Sequence, residues 1–248
     1  MIELKTPQEI ALMRRAGHVV AGLLAHLSQQ VRVGMTTKAL DDAARYYLKD
    51  AKAQPAFLGY RGFPATICVS VNDEVVHGIP GDRRLEEGDV VSVDAGAVVE
   101  GWFADAATTV LIGKSSALSK RLTETTRQAL EAGIAQAVAG RRVSDISNAV
   151  QQVIERDGFG IVREFVGHGI GRALHEEPPV PNFGPPHMGP RLQAGMVLAI
   201  EPMVTVGRPE VRVLSDGWTA VTADRSLAAH FEHTVAVTER GPDILTAP

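Results

Sequence analysis

The 248-residue chain has a single cysteine, Cys68, so no intramolecular disulfide can form and a reducing compartment fits. It lacks an excess of positive charge: 25 Lys and Arg stand against 29 Asp and Glu, a formal net charge of -4. That balance argues against bulk attraction to nucleic acid or to an anionic membrane. No stretch approaches the ~20 apolar residues of a membrane helix. The opening, Met1-Ile2-Glu3-Leu4-Lys5-Thr6-Pro7, has no basic segment followed by an apolar run, so no signal peptide is expected. Low-complexity linkers are missing. So are the dinucleotide fingerprint and the zinc motif His-Glu-x-x-His. What remains is 45% hydrophobic and 22% charged residues, an ordinary globular balance in a chain long enough to bury a core without staples. The expected location is the cytoplasm.

The hydrophobic pattern divides the chain into two similar runs of elements. Thr6 as N-cap and Pro7 at the first helical position predict a helix over Gln8–Val31, with Ile10, Met13, Gly17, Val20 and Leu24 at helical spacing. A second helix is expected after Thr36, through Leu40, Ala44 and Leu48. Period-two and β-branched runs then predict strands at Ala65–Val71, Asp89–Asp94 and Ala104–Ile112. Helices are expected again at Ala117–Val138 and Val143–Arg156, with Gly140 and Gly158 near their ends. Further strands are expected at Met196–Val204, Val211–Leu214, Gly217–Thr222 and Ala228–Val237, and a Pro/Gly-rich loop at Gly184–Pro190.

A weak internal repeat runs through this order. Gly88-Asp89-Val90-Val91-Ser92-Val93-Asp94 resembles Gly195-Met196-Val197-Leu198-Ala199-Ile200-Glu201: a glycine, an apolar strand and a terminal acid. A later strand in each half carries a second acid, Asp105 or Glu232, and the second half carries a longer insertion between its strands. The reading is one compact α+β domain over 1–248, with halves of about 1–113 and 114–248.

An unpaired carboxylate at the end of an apolar strand is unfavourable by several kcal/mol or more. No Lys or Arg stands near Asp94 or Glu201 in sequence. Pseudo-symmetric halves would bring Asp94, Asp105, Glu201 and Glu232 to one centre, where they repel unless cations intervene. Two divalent ions balance four carboxylates, which makes a two-metal site the economical explanation. Taken singly, Asp105 and Glu232 read as solvated or ion-paired residues; the symmetric placement of all four carries the metal reading. His168 and His175 strengthen it, in Gly167-His168-Gly169-Ile170-Gly171-Arg172-Ala173-Leu174-His175-Glu176, because a ring among glycines suits a site loop and imidazole is a common nitrogen ligand. His77, in Val75-Val76-His77-Gly78-Ile79-Pro80, reads by itself as a turn histidine. A lone strand cysteine such as Cys68 is usually buried and inert rather than a nucleophile.

These segments resemble the type I methionine aminopeptidases, which have the pita-bread fold. The resemblance spans nearly the whole chain and is carried by Val71–Pro80, Gly88–Gly96, Gly167–Glu177, Gly195–Met203 and Phe231–Thr238. It implies two pseudo-symmetric halves with a curved antiparallel sheet covered by helices. It implies two divalent ions (Co, Mn, Fe or Zn): Asp94 on one, His168 and Glu201 on the other, Asp105 and Glu232 bridging. His77 and His175 would contact substrate and the developing oxyanion, and Glu201 would also move a proton. Tyr60, Phe63, Cys68, Leu174 and Trp218 would line an apolar methionine pocket; without the resemblance these five read as core residues. The implied reaction is hydrolysis of the first peptide bond, by metal-activated water, of a protein whose second residue is small. Expected partners are peptide or nascent-chain N-termini, with ribosome association compatible; the chain is expected to be a monomer that binds no membrane and no specific nucleic-acid sequence.

The chain departs from the family pattern at Phe63 and Leu174, where Tyr and Phe are frequent. It departs again at Ala106-Ala107, where a hydroxyl pair is common, and at His230, where glutamine is common. Two rival readings exist. A pita-bread hydrolase cutting before proline usually carries an extra N-terminal domain, which this chain does not display. A non-catalytic binding module on the same fold would typically have lost ligands, and all five are present.

Overall fold

The computed structural model describes residues 2–247; Met1 and Pro248, the two ends of the expected domain, lie outside them. The first half runs α1 (Pro7–Gln30), α2 (Thr37–Asp50), β1 (Gln54–Pro55), a 3₁₀ turn (Tyr60–Gly62), β2 (Ile67–Val71), β3 (Glu74–Val76), β4 (Val90–Val99) and β5 (Trp102–Leu111). The second half begins with α3 (Ala117–Ile134), α4 (Val143–Arg156), β6 (Gly160–Ile161), β7 (Gly167–Gly169) and β8 (Glu176–Val180). It continues with β9 (Val197–Ile200), β10 (Met203–Thr205), β11 (Val211–Val213) and β12 (Ala220–Thr222), then β13 (Ala228–His230), β14 (Glu232–Thr238) and β15 (Gly241–Ile244).

One nine-stranded antiparallel sheet unites the halves, in the order β1-β4-β5-β14-β9-β7-β8, with β2 on β4 and β15 on β14. Two three-stranded sheets, β13-β10-β6 and β11-β12-β3, absorb the insertion in the second half. This is the curled antiparallel sheet with four helices expected of a pita-bread fold. The helices start as their sequences dictate. Thr6 closes a capping box with Glu9 ahead of Pro7, and the Thr36 and Ser116 hydroxyls accept from the backbone N–H groups of Ala39 and Ser119.

Alternation sorts the sheet into two faces. Val91, Val93, Ala95 and Ala97 of β4, and Ala104 and Ala106 of β5, enter the core beneath α1 and α2. Leu198 and Ile200 of β9, and Val235 and Val237 of β14, enter the core with Leu130 and Ile134 of α3 and Ile146 of α4. The residues between them, Asp94, Asp105, Ala199 and Glu232 among them, therefore face away from the helices.

Several expected boundaries move. Asp94 does not end its strand; β4 runs on to Val99 and turns back through Glu100 and Gly101, both at positive φ, a two-residue hairpin that escaped the sequence reading. Gly96 in that extension is required by crowding, since a Cβ there would lie 2.7 Å from the Phe57 ring. The strand expected at Met196–Val204 is two strands, because Pro202 has no N–H to give the ladder. The strand expected at Ala228–Val237 is likewise two, broken at Phe231. The helix expected to reach Val138 stops at Ile134, where the bonds from Gln136 N to Gly133 O and Ala137 N to Ile134 O tighten to the 3₁₀ pattern. The strand expected from Gly217 starts only at Ala220, since Asp216 holds the N–H groups of Trp218 and Thr219 in a turn.

Gly17 shows how tightly α1 is seated. A Cβ on it would meet the carbonyl oxygen of Leu245 at 2.1 Å. A mid-helix Gly→Ala change normally gains about 1 kcal/mol of helix propensity, but forcing a methyl against rigid backbone costs roughly 1–3 kcal/mol. Gly17→Ala is therefore expected to lower the melting temperature, by about 2–4 °C per kcal/mol lost. A thermal melt showing a raised midpoint would contradict this packing.

Candidate active site

Four of the expected acids and His168 come from five neighbouring strands. Asp94 lies on β4, Asp105 on β5, Glu232 on β14, Glu201 directly after β9, and His168 on β7. The register places them on one face. Ala107 pairs with both Asp94 and Glu232, and Ala199 pairs with both His168 and Thr234. Small residues at these two rungs leave open the space between the larger side chains. The departure at Ala107 thus falls in the row of acids, while Ala106 points to the helix side.

His168 can approach only because its neighbours are glycines. A Cβ at Gly167 would lie 2.3 Å from the Ala199 carbonyl oxygen, and one at Gly169 would lie 2.2 Å from that of Glu177. The His168 Nδ1–H donates to the Gly169 carbonyl at 2.9 Å, which leaves Nε2 with its lone pair. That nitrogen stands 3.6 Å from Asp105 Oδ2 and 3.5 Å from Glu201 Oε1. An acceptor facing two carboxylates needs a proton or a cation between them. The ligand atoms of Asp105, His168 and Glu232 all lie within 4.8 Å of one another. Asp94 Oδ1 is buried without a hydrogen-bond partner, and among the described residues no Lys or Arg pairs with any of the four acids. The donor set therefore fits divalent metal ions on its own geometry: one imidazole and four carboxylates, one of them with an unsatisfied oxygen.

Electrostatics point the same way. Burial pushes the carboxyls of Asp94, Glu201 and Glu232 well above the carboxylate range, and mutual repulsion adds to it. Burial lifts Asp105 to about 7, against the opposing hydrogen bond from Thr234. Burial lowers His77, His168 and His175 to about 4 and His230 to about 3. Without metal the site thus favours protonated Asp94, Glu201 and Glu232 beside neutral imidazoles, with Asp105 balanced near neutral pH.

The same cavity, about 180 Å³, is lined by every residue expected for substrate: Tyr60, Phe63, Cys68, His77, Leu174, His175 and Trp218. The Phe63 ring meets Trp218 edge-on at 5.1 Å, and His77 meets Phe165 edge-on at 5.2 Å. His77 sits just past β3 at φ 61°, a strained conformation for a ring-bearing residue. His175 stacks on Tyr60, and its Nδ1 lies 2.9 Å from the Tyr60 hydroxyl. Its ring is 4.1 Å from that of His168. Cys68 is buried, and desolvation together with Asp94 pushes its thiol pKa up, which suits a wall residue and not a nucleophile. Phe57, Phe165 and Met203 also line the cavity without having been expected there: Phe57 and Phe165 lie in irregular segments without periodicity, and Met203 reads as an ordinary apolar strand residue.

A sequence model of metallopeptidase family M24 matches residues 11–239, and the chain belongs to that family. Membership implies a peptidase that binds divalent metal, and the acids and His168 form the candidate site. The methionine aminopeptidase 1 of Bacillus subtilis (strain 168) is 50% identical over 246 residues, covering 99% of each chain. The crystal structure of methionine aminopeptidase from Thermotoga maritima superposes with a TM-score of 0.98 at 46% identity, over all of both chains. Within the family the chain's place is among the methionine aminopeptidases: it is an aminopeptidase, a metal-dependent hydrolase working at peptide N-termini. Prolidase from Pyrococcus furiosus shares the fold, with a TM-score of 0.79 at 22% identity, and this chain spans 65% of its length.

The buried acids give a signed pH dependence. In the metal-free protein the four carboxyls keep protons that the unfolded chain releases near pH 4, so folding takes up protons and stability falls as pH rises. The depressed histidines, His233 included, act oppositely below their ordinary value of 6.5, where only the unfolded chain protonates them. Above that value the carboxyls alone still differ. The melting temperature of chelator-treated protein is therefore expected to fall between about pH 7 and 8, and manganese should flatten that slope by favouring ionised carboxylates. Parallel curves with and without metal would refute the assignment of these acids to a cation site.

Proposed function

We propose that the chain removes the N-terminal initiator methionine from nascent proteins whose second residue is small, using two divalent ions. Asp94, Asp105, His168, Glu201 and Glu232 would hold the ions, with Asp94 at one end of the set and His168 and Glu201 at the other. The observation that carries this reading is the convergence of the five residues, from five adjacent strands, on one buried face beside an apolar pocket. Four carboxylates match the charge of two divalent ions, and their oxygen-rich set with one imidazole suits manganese, cobalt, iron or zinc. The whole chain works as one catalytic domain, since each half contributes two of the acids.

Bound ions supply water acidified towards neutral pH and polarise the scissile carbonyl. The chain's own groups do the rest. Glu201 takes the proton released by the attacking water and delivers it to the leaving amine. His175 has Nδ1 engaged by Tyr60, so Nε2 is its free nitrogen; as a neutral donor it stabilises the oxyanion, with His77 beside it. Tyr60, Phe63, Cys68, Leu174 and Trp218 enclose the methionine side chain, whose thioether gains roughly 0.3–1.5 kcal/mol from aromatic contacts. Asp94, at its end of the set, marks where the substrate's free amine is held, which selects N-termini. A cytoplasmic monomer acting on chains as they leave the ribosome fits this substrate, and the single cysteine agrees with that compartment.

The test is release of free methionine from a Met-Gly tripeptide, with added cobalt or manganese, with chelator, and beside an Xaa-Pro peptide. Metal-dependent cleavage of the Met peptide alone is expected. Cleavage of the proline peptide alone would transfer the site to a different substrate. Asp94→Asn and Glu201→Gln are each expected to abolish turnover with the fold kept by circular dichroism. Turnover near the wild-type rate in either would sink the role given to that residue.

A further inference from the structure

His230 is buried at the break between β13 and β14, and its Nε2 has no hydrogen-bond partner. An unsatisfied buried polar atom costs about 1–3 kcal/mol, so its position calls for a reason. The backbone at this point is clamped from both sides. The Thr109 hydroxyl donates to the His230 carbonyl oxygen at 2.7 Å and accepts from the His230 N–H at 3.0 Å. Ser92 Oγ lies 2.9 Å from the same hydroxyl and completes its bonding. The clamp fixes where the ring enters the cavity, with Nε2 3.9 Å from Glu201 Oε2.

Glu201 therefore lies between two imidazoles. Its Oε1 faces His168 Nε2 at 3.5 Å and its Oε2 faces His230. Asn182 holds the Glu201 peptide carbonyl at 3.0 Å, but among the described residues no other side chain donates to the carboxylate. His168 cannot do so, since its proton is committed to Gly169. His230 is the neighbour with an uncommitted nitrogen. A closing movement of about 1 Å brings the pair to ordinary hydrogen-bond length.

We infer that His230 is a positioning residue for Glu201: its Nε2–H donates to Oε2 and turns Oε1 toward His168, where a divalent ion is held. This rests on the reading of Glu201 as a metal ligand. A carboxylate tethered through one oxygen presents the other in a single orientation, and loss of such a tether typically weakens metal binding by roughly 10–100-fold.

The experiment titrates metal-free wild type, His230→Gln and His230→Met with manganese and with cobalt by calorimetry, and records the visible spectra of the cobalt forms. His230→Met, of similar bulk but without a donor, is expected to lose roughly 10–100-fold in affinity. His230→Gln, whose amide N–H reaches the same oxygen, should bind near the wild-type level with an unchanged cobalt spectrum. Wild-type affinity in a folded His230→Met overturns the inference. So does a His230→Gln cobalt spectrum showing a nitrogen lost from the metal, which would make His230 a ligand itself. If His230→Met does not fold, a long-range proton–nitrogen spectrum of the zinc-loaded wild type decides: Nε2 carries the proton, and an unprotonated Nε2 overturns the inference. Unchanged metal affinity in Glu201→Gln would instead remove the ligand reading on which the inference stands.

Discussion

Four carboxyl groups held out of water on one face of one sheet are the constraint around which the rest of this molecule is arranged. Each would be hydrated in the unfolded chain, and burying them together sets desolvation and mutual repulsion against folding. No Lys or Arg answers them among the described residues, so the fold needs either protons or metal ions at that place. The surroundings follow from this need. Small residues at Ala107 and Ala199 keep the middle of the site open. Glycines on either side of His168 let a strand come close enough to present a ring. The Thr234 hydroxyl, bonded to the backbone and carboxyl of Asp105, holds one acid in place.

The sequence made the chemistry more legible than the architecture. The five candidate ligands and His175 were readable because acids in apolar strands and histidines among glycines are locally out of character; His77, by itself a turn histidine, came only from the family resemblance, which also supplied the roles of the rest. The structure brings all seven to one cavity. The four helices were readable from caps and periodicity, since Thr6-Pro7, Thr36 and the positive-φ Gly140 and Gly158 are local signals. Short strands were not: Glu74–Val76 and Gly167–Gly169 are too brief to show a period, Glu176–Val180 holds two prolines, and each exists only through its pairing with strands distant in sequence or across a turn. Asp94 misled because an acid looks like the end of a strand; opposite Ala107 a mid-strand acid has room beside the other acids of the site.

The repeat noticed in sequence has a physical counterpart. Gly88 and Gly195 both precede their strands at positive φ, 94° and 96°, so each half launches its acid-bearing strand from the same kind of turn. The halves diverge where substrate is held. The longer segment between Glu201 and Glu232 folds into two small sheets, and one of them returns Trp218 to the cavity wall beside Phe63. The symmetric part of the chain thus supplies the four acids, and the longer segment adds Trp218 to a wall that Tyr60, Phe63, Cys68 and Leu174 also form.

Between the two halves, β5 and β14 are joined by only two ladder pairs, Glu232 with Ala107 and His233 with Ala106. The acids stand directly astride that narrow join, two from each side. A cation held there would act as a rivet across this short join, beside the second tie that β3 makes between the halves by pairing with β12. The atoms proposed for the chemistry would then also carry part of the joint between β5 and β14, so that stripping a cation from them would weaken both together.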